Sequence, residues 1–417
     1  MLKAVTGTKD ILPEEIPSWK LVEETVRKIL KNFNYSEIRT PVFEETTLFA
    51  RGIGEETDIV SKEMYTFTDR SETSLTLKPE MTASVVRAFI EHSLGKQQPL
   101  NKLYYISPMF RQERPQAGRL RQFHQFGAEA IGSSSVYLDV EMIQAAYEIL
   151  KALGLKDLTV KINSLGVPES REEYKVTLKE FLKDKKNKLS EESRKRLDKN
   201  ILRIFDSKEE NDKKILKEAP LLLDYLDDES KANFEAVKDI LKLSEIPFEV
   251  DPYLVRGLDY YTKTTFEIVS GKVGSQNALC GGGRYDFLVE QFGGPPTPAV
   301  GFAAGIERIL LACENEKSFQ LPEEKINLYI TRLDDDLSQK VFELALYFRR
   351  KNLSVECDYL NRSLKAQMRE ANRLKAKYVL FIGGEEYKTG KANLKNMETG
   401  EQKLVQLNKL DSLIFNN

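Results

Sequence analysis

Apolar residues recur at helical spacing between Trp19 and Phe33, with Leu21, Val22, Ile29, Leu30 and Phe33 near one face, which predicts an amphipathic helix. Tyr35 to Phe43 alternates and predicts a strand, with Pro41 confining that end to a sheet edge or an interface. A short strand over Leu75 to Glu80 runs into a helix starting near Thr82. Leu138 to Leu153 reads as a further helix and Leu158 to Asn163 as a further strand. Strand patterns return from Phe248 through Leu310. Beyond a charged linker, Glu314 to Lys325, apolar runs and helical patterns alternate: strand Asn327–Thr331, helix Leu337–Lys351, strand Ser354–Asp358, helix Ser363–Lys375 and strand Tyr378–Ile382. That order predicts a small terminal βαβ unit with a parallel sheet.

Between these strand-rich parts the chain changes character. From about 167 to 243 glycine is absent and Lys, Glu and Asp dominate, so the stretch reads as a helical insertion with exposed faces. Its lysines are accounted for by solvation, and contact with an RNA backbone is the alternative. In the last predicted helix Leu364, Met368, Ala371 and Leu374 form an apolar stripe, while Arg362, Lys365, Arg369 and Arg373 form a basic one.

The segment Met109 to Ala130 carries the densest candidate chemistry. Two alternating runs flank a Pro115…Gly118 turn, placing Arg111, Arg114, Arg119 and Arg121 around the tip of a β-hairpin. On the return strand Arg121, Phe123, Gln125, Gly127 and Glu129 share one face by the period of two. A solvated hairpin is one reading; a grip on a polyphosphate beside a small polar cation is the other. A second cue is Ala299 to Arg308, a small-residue strand turning at Gly305 into a helix. Arg308 in its first turn opposes the helix dipole, and a negative ligand is a natural reason for it.

Composition narrows the chemistry. The 417 residues suffice for about three domains, and no long uncharged apolar run or leader-like h-region is present, so the expectation is a cytoplasmic protein without a membrane partner. Two histidines, His92 and His124, disfavour a His-rich metal centre or a Ser-His-Asp triad. Three scattered cysteines suggest buried thiols rather than disulfides or zinc. A net charge of −2 requires any nucleic acid to meet local basic patches.

Phe110-Arg-Gln-Glu113 with the following loop and Phe123 resembles motif 2 of class II aminoacyl-tRNA synthetases, and Ala299 to Arg308 resembles motif 3. The Trp19 helix with the Pro41 strand is similar to motif 1, the dimer-interface element. Arg256-Gly-Leu-Asp-Tyr-Tyr261, followed by Thr264-Thr-Phe-Glu267, closely resembles the histidine-specific box of histidyl-tRNA synthetases. Gly281-Gly-Gly-Arg-Tyr-Asp286 resembles that family's second box, and Gly7-Thr-Lys-Asp-Ile-Leu-Pro13 its N-terminal segment.

The resemblance implies a mixed α/β protein. It has an α+β catalytic domain with an antiparallel sheet over 1–320, interrupted by the helical insertion, and a C-terminal α/β anticodon-binding domain over 326–417. It also implies attachment of L-histidine to tRNA(His) through histidyl-adenylate, with ATP and Mg2+, no zinc or organic cofactor, and a homodimer. Arg111 and Arg256 become the catalytic cations at the α-phosphate, Arg256 standing where related enzymes hold a metal. Arg111, Glu113, Phe123 and Arg308 bind ATP. Glu80, Met81, Thr82 and Gln125 surround the histidine ammonium, and Glu129, Tyr260, Tyr261 and Tyr285 its imidazole. Arg114, Gln116, Arg119 and Arg121 meet the tRNA acceptor end, and Arg362, Lys365 and Arg369 the anticodon stem. Two rivals stand beside this expectation: the synthetase-like regulatory subunit of ATP phosphoribosyltransferase, and a prolyl- or threonyl-type synthetase.

Overall fold

The computed structural model describes residues 2–54, 57, 59–116, 118–271, 277–319, 321, 324–407 and 410. The chain divides into two compact units, Met1–Leu321 and Pro322–Asn417. Gln320, Pro322 and Glu323 of the expected linker lie outside the described residues.

The first unit is built on an eight-stranded sheet. Its strands, in chain order, are β1 (Ser36–Glu37), β5 (Asn101–Phe110), β6 (Gln122–Ile131), β7 (Leu158–Ser164), β8 (Phe248–Val250), β9 (Thr262–Ser270), β10 (Ala278–Arg284) and β11 (Ala299–Gly305). A smaller sheet holds β2 (Phe43–Glu45), β3 (Tyr65–Thr68) and β4 (Ser74–Leu77). Across the large sheet the order is β1-β5-β6-β11-β10-β9-β7-β8. The six central strands are mutually antiparallel, and the edge strands β1 and β8 each pair in parallel with their neighbour.

Period two decides what each face does. On β6, Phe126, Ala128 and Ala130 turn to one side and join Val300, Phe302 and Ala304 of β11 in a core. That core is closed by the helices Ile16–Asn32, Val136–Ala152, Asp228–Leu243 and Ile306–Glu316, which supply Val22, Ile143, Val237 and Ile309. Each such buried aliphatic side chain contributes roughly 1.5–3 kcal/mol over its exposed state. Phe123, Gln125, Gly127 and Glu129 are left on the opposite face, as expected for the return strand.

The Tyr35–Phe43 expectation needs correction. There the chain makes β1 in the large sheet, leaves it, and enters the small sheet as β2, because Pro41 cannot donate to a ladder. Tyr253 to Val255 is likewise irregular chain rather than strand. The helical block between Pro168 and Leu243 is less exposed than its composition suggests. Tyr174, Leu178, Leu182 and Ile204 are buried in a core shared with the Thr82–Glu91 helix, while Phe234 and Leu241 join the sheet core.

In the second unit β12 (Leu328–Arg332), β13 (Val355–Cys357) and β14 (Tyr378–Ile382) form the expected parallel βαβ sheet, in the order β13-β12-β14. Two antiparallel strands that the pattern did not predict, β15 (Lys391–Asn396) and β16 (Gln402–Gln406), extend it. The stripe of the Leu364–Arg373 helix is also revised: Gln367 is buried, and Leu364 is exposed. Gln367 accepts from the Arg332 N–H and donates to the carbonyls of Arg332 and Arg362, which makes a polar residue satisfactory at a core position.

Candidate active site

A cavity of about 450 Å3 opens on the polar face of the large sheet. Its walls come from the start of the Thr82–Glu91 helix, the β5–β6 hairpin, the Arg256–Tyr261 loop and the small-residue strands β10 and β11. Glycine at two positions makes the space. A Cβ on Gly301 would stand 1.6 Å from Glu129 Oε2, and one on Gly281 would stand 2.4 Å from the Arg256 guanidinium.

Acceptors line the inner end. Glu129 is buried; Thr82 Oγ1 donates to its Oε1 at 2.8 Å and the Tyr285 hydroxyl to its Oε2 at 2.5 Å. Burial outweighs these donors and pushes the Glu129 carboxyl up to about 8. Glu80, also buried, accepts from the backbone N–H groups of Thr82 and Ala83 at 2.7 and 2.9 Å. It therefore caps the helix while facing the cavity, and burial raises its carboxyl too. Gln125 Oε1 is buried and has no hydrogen-bond partner among the described residues. Tyr260 packs on Tyr261 at 4.7 Å and on Tyr285 at 5.6 Å between ring centroids, giving an aromatic wall.

Cations line the outer end. Arg111 donates from Nε to the Pro79 carbonyl at 2.9 Å and stands 5.3 Å from the Phe123 ring centroid. Arg308 donates to the Ala278 carbonyl at 2.9 Å and Arg119 to Glu113 at 3.1 Å. Arg256 pairs with Glu267 and lies 5.6 Å from the Tyr261 ring centroid. These guanidinium groups are compensated unequally. Burial lowers Arg111, and burial followed by the neighbouring Arg119 lowers Arg308. At Arg256 burial also opposes the charge, but Glu267 together with Tyr261 and Tyr260 more than offsets it and the net shift is upward. The under-compensated pair is an electrostatic setting for an anion with several charges.

The cavity brings together Glu80, Met81, Thr82, Arg111, Glu113, Arg119, Phe123, Gln125, Arg256, Tyr260, Tyr261, Tyr285 and Arg308, with Glu129 against it through Thr82 and Tyr285. Other expected residues lie apart. Arg114 and Gln116 are exposed on the hairpin loop. Arg121 donates to the Thr6 and Glu113 carbonyls and holds the N-terminal segment. In the second unit Lys365 and Arg369 are exposed, while Arg362 is paired with Asp358 at 2.5 Å and Glu370 at 3.4 Å.

Two residues were not given roles by sequence reasoning. Glu267 anchors Arg256; its signal was a lone carboxylate in the strand run Thr264-Thr-Phe-Glu-Ile-Val269. Glu307 accepts from the His124 backbone N–H and meets its Nδ1 at 3.0 Å, joining the motif 3-like helix to the hairpin. Among the described residues no group of three or more His, Cys, Asp or Glu is placed to hold a metal ion.

An antiparallel sheet bearing a basic hairpin, with an arginine in the helix that follows its small-residue strand, is the arrangement expected of a class II aminoacyl-tRNA synthetase. The histidyl-tRNA synthetase family model matches residues 7–309, and the anticodon-binding domain model matches 324–417. Histidine–tRNA ligase of Halothermothrix orenii is 49% identical over 407 residues, covering 97% of each chain. That of Listeria innocua is 50% identical over 97% of this chain and 96% of its own. Among solved structures, apo histidyl-tRNA synthetase of S. aureus superposes with a TM-score of 0.83 at 40% identity, covering 99% of this chain and 100% of that one. The chain belongs to the histidyl-tRNA synthetase family.

Proposed function

We propose that this chain attaches L-histidine to tRNA(His) in two steps, through histidyl-adenylate, with release of pyrophosphate and then AMP. The observation that carries the reading is one cavity with buried acceptors at its inner end and arginines at its outer end. Full-length likeness to histidine–tRNA ligases supports the choice of amino acid and of tRNA.

The histidine carboxylate is itself the nucleophile, so no activated Ser or Cys is needed. Attack on the α-phosphorus forms the C–O–P link and expels pyrophosphate. What the residues supply is alignment and neutralisation of charge at the α-phosphate. Arg111 grips the α-phosphate, its guanidinium steadied by the Pro79 carbonyl and the Phe123 ring. Arg256 spans the carboxylate and the α-phosphate, using the bidentate fork that arginine offers, with Glu267 fixing its far side. Arg308 and Arg119 meet the remaining phosphates, and Glu113 and Phe123 border the adenine. In this arrangement Gln125 Oε1 and Glu80 accept from the substrate ammonium beside Met81 and Thr82, and Glu129 with Tyr261 takes the imidazole nitrogens against Tyr260 and Tyr285. Magnesium would accompany the phosphates of ATP; the cavity carboxylates Glu113 and Glu267 are paired with Arg119 and Arg256.

The terminal ribose hydroxyl of tRNA then attacks the activated carbonyl and releases AMP. Arg114 and Gln116 are the loop residues best exposed to an acceptor end, with Arg119 and Arg121 shaping the loop. Lys365 and Arg369, steadied by Arg362, present a basic face to the anticodon stem. A homodimer working in the cytoplasm completes the reading, the exposed Phe43–Phe67 pair of the small sheet being apolar surface that a second copy would cover. Among the described residues no helix is long and apolar enough to cross a membrane.

The regulatory-subunit alternative is less supported, since Arg111, Arg256 and Arg308 line the one cavity and the anticodon-binding domain model matches residues 324–417. ATP–pyrophosphate exchange with each amino acid, followed by charging of tRNA(His), tests the proposal. Exchange dependent on histidine alone and charging to completion are expected; exchange driven by another amino acid, or none, overturns it.

A further inference from the structure

The loop that carries Arg256, Tyr260 and Tyr261 has neither helix nor strand from Asp251 to Tyr261, and it separates two cavities. One is the cavity described above. The other, about 310 Å3, lies against the helical block, and Arg256 and Leu258 line both. A wall this thin must be held from behind.

The reason it leaves regular structure is local. β9 and β10 slip register between Gly283 and Arg284: Gly283 faces Thr265, and Arg284 faces Thr262, so Lys263 and Thr264 bulge out. Lys263 sits at φ +43°, in the left-handed region. Tyr260 and Tyr261 precede the bulge and line the cavity, and the Tyr261 carbonyl lies just outside β9.

That carbonyl is met by Arg171, whose Nη1 donates to it at 2.6 Å. Arg171 is the fourth residue of the Pro168–Lys183 helix, an unfavourable place for a cation, because the helix dipole is positive there. Burial lowers its pKa further. A charge kept against both costs has a local use, and the bond to the Tyr261 carbonyl supplies one. The same seam is stitched by backbone bonds from Lys263 N to Gly166 O at 2.8 Å and from Leu165 N to Lys263 O at 2.7 Å. Within the loop, Asn200 of the block donates to Asp259 Oδ1 at 2.9 Å.

We infer that Arg171 is a positioning residue for histidine activation: through the Tyr261 carbonyl it sets the loop that holds the imidazole and Arg256, and so makes the helical block part of the amino-acid site. The inference rests on the proposed reading of the cavity. ATP is held chiefly by the hairpin and the Ile306–Glu316 helix, so its binding before reaction depends little on this loop.

The test is steady-state ATP–pyrophosphate exchange by the full chain carrying Arg171→Ala, Arg171→Lys or Asn200→Ala, each checked for a parental melting profile. Histidine-dependent exchange by the parental protein tests the underlying reading separately. Arg171→Ala is expected to raise KM for histidine by about 10-fold or more and to lower kcat by about 10-fold, because sub-ångström misplacement of reacting groups is costly. KM for ATP should stay within about 2-fold. Arg171→Lys, which keeps a donor, should recover much of the loss, and Asn200→Ala should shift in the same direction by less. Parental KM for histidine in a folded Arg171→Ala protein, or equal rises for histidine and ATP, would overturn the inference. Should the alanine variant fail to fold, Arg171→Gln takes its place: a rise in KM for histidine alone supports the inference, and no rise or equal rises overturn it.

Discussion

Replacing Arg256 with alanine separates catalysis from structure, because the residue serves both. Its guanidinium pairs with Glu267, and their side chains are 18% and 23% exposed. In the proposed reaction the same group spans the attacking carboxylate and the α-phosphate. Removing it takes away one well-placed charge stabiliser, a loss of roughly 10²–10³-fold in kcat, or about 3–4 kcal/mol. It also strands the Glu267 carboxylate, at about 1–3 kcal/mol for a polar group left unsatisfied, the lower end applying because water still reaches it. The Arg256→Ala protein should therefore melt a few degrees below the parent and exchange pyrophosphate at least 100-fold more slowly. Adding Glu267→Gln removes the stranded charge. The double variant should regain most of the lost melting temperature and none of the exchange. Arg256→Lys keeps the charge without the fork and should fall between parent and alanine. Exchange and calorimetry on the four proteins decide the matter: parental exchange by Arg256→Ala, or recovery of exchange along with stability in the double variant, would refute the role given to Arg256.

Glu129→Gln keeps the shape of the side chain but not its capacity to ionise and to accept from the imidazole through both oxygens, and should raise KM for histidine by about 10-fold or more while KM for ATP stays near parental; pyrophosphate exchange at varied concentrations of each substrate reads the split. Burial raises the Glu129 carboxyl to about 8 in the folded protein, from 4.5 for a free glutamate, so the folded state holds a proton that the unfolded chain releases. Stability of the ligand-free protein should therefore fall as pH rises through the window between those values, and Glu129→Gln should flatten part of that slope in a melting series. Glu80, raised by burial in the same direction, accounts for some of what remains. A chain ending at Leu321 should still support histidine-dependent exchange but charge tRNA poorly; charging at the full-length rate would break the proposed division between the units.

Much of the site was legible because its residues are adjacent in sequence. The hairpin put Phe123, Gln125 and Glu129 on one face by strand period alone, and the Gly305–Arg308 turn announced itself as a cation at a helix start. What remained hidden depends on distant segments meeting. Arg171 gives no local sign of its use, since its partner is a backbone carbonyl 90 residues away. Glu267 could be quoted within a motif, but its pairing with Arg256 rests on how the loop folds back on β9. Gln367 misled in the opposite sense, because a core position satisfied by three backbone groups does not look apolar. The Tyr35–Phe43 run alternates like a strand, yet Pro41 breaks it in two.

The most direct measurement is a crystal structure of the full chain with histidine and a non-hydrolysable ATP analogue. The account predicts the imidazole within hydrogen-bond distance of Glu129, the ammonium on Gln125 and Glu80, and the carboxylate and α-phosphate held between Arg111 and Arg256. Histidine bound outside this cavity, or turned so that its carboxylate meets Glu129 and its ring meets the arginines, would contradict it.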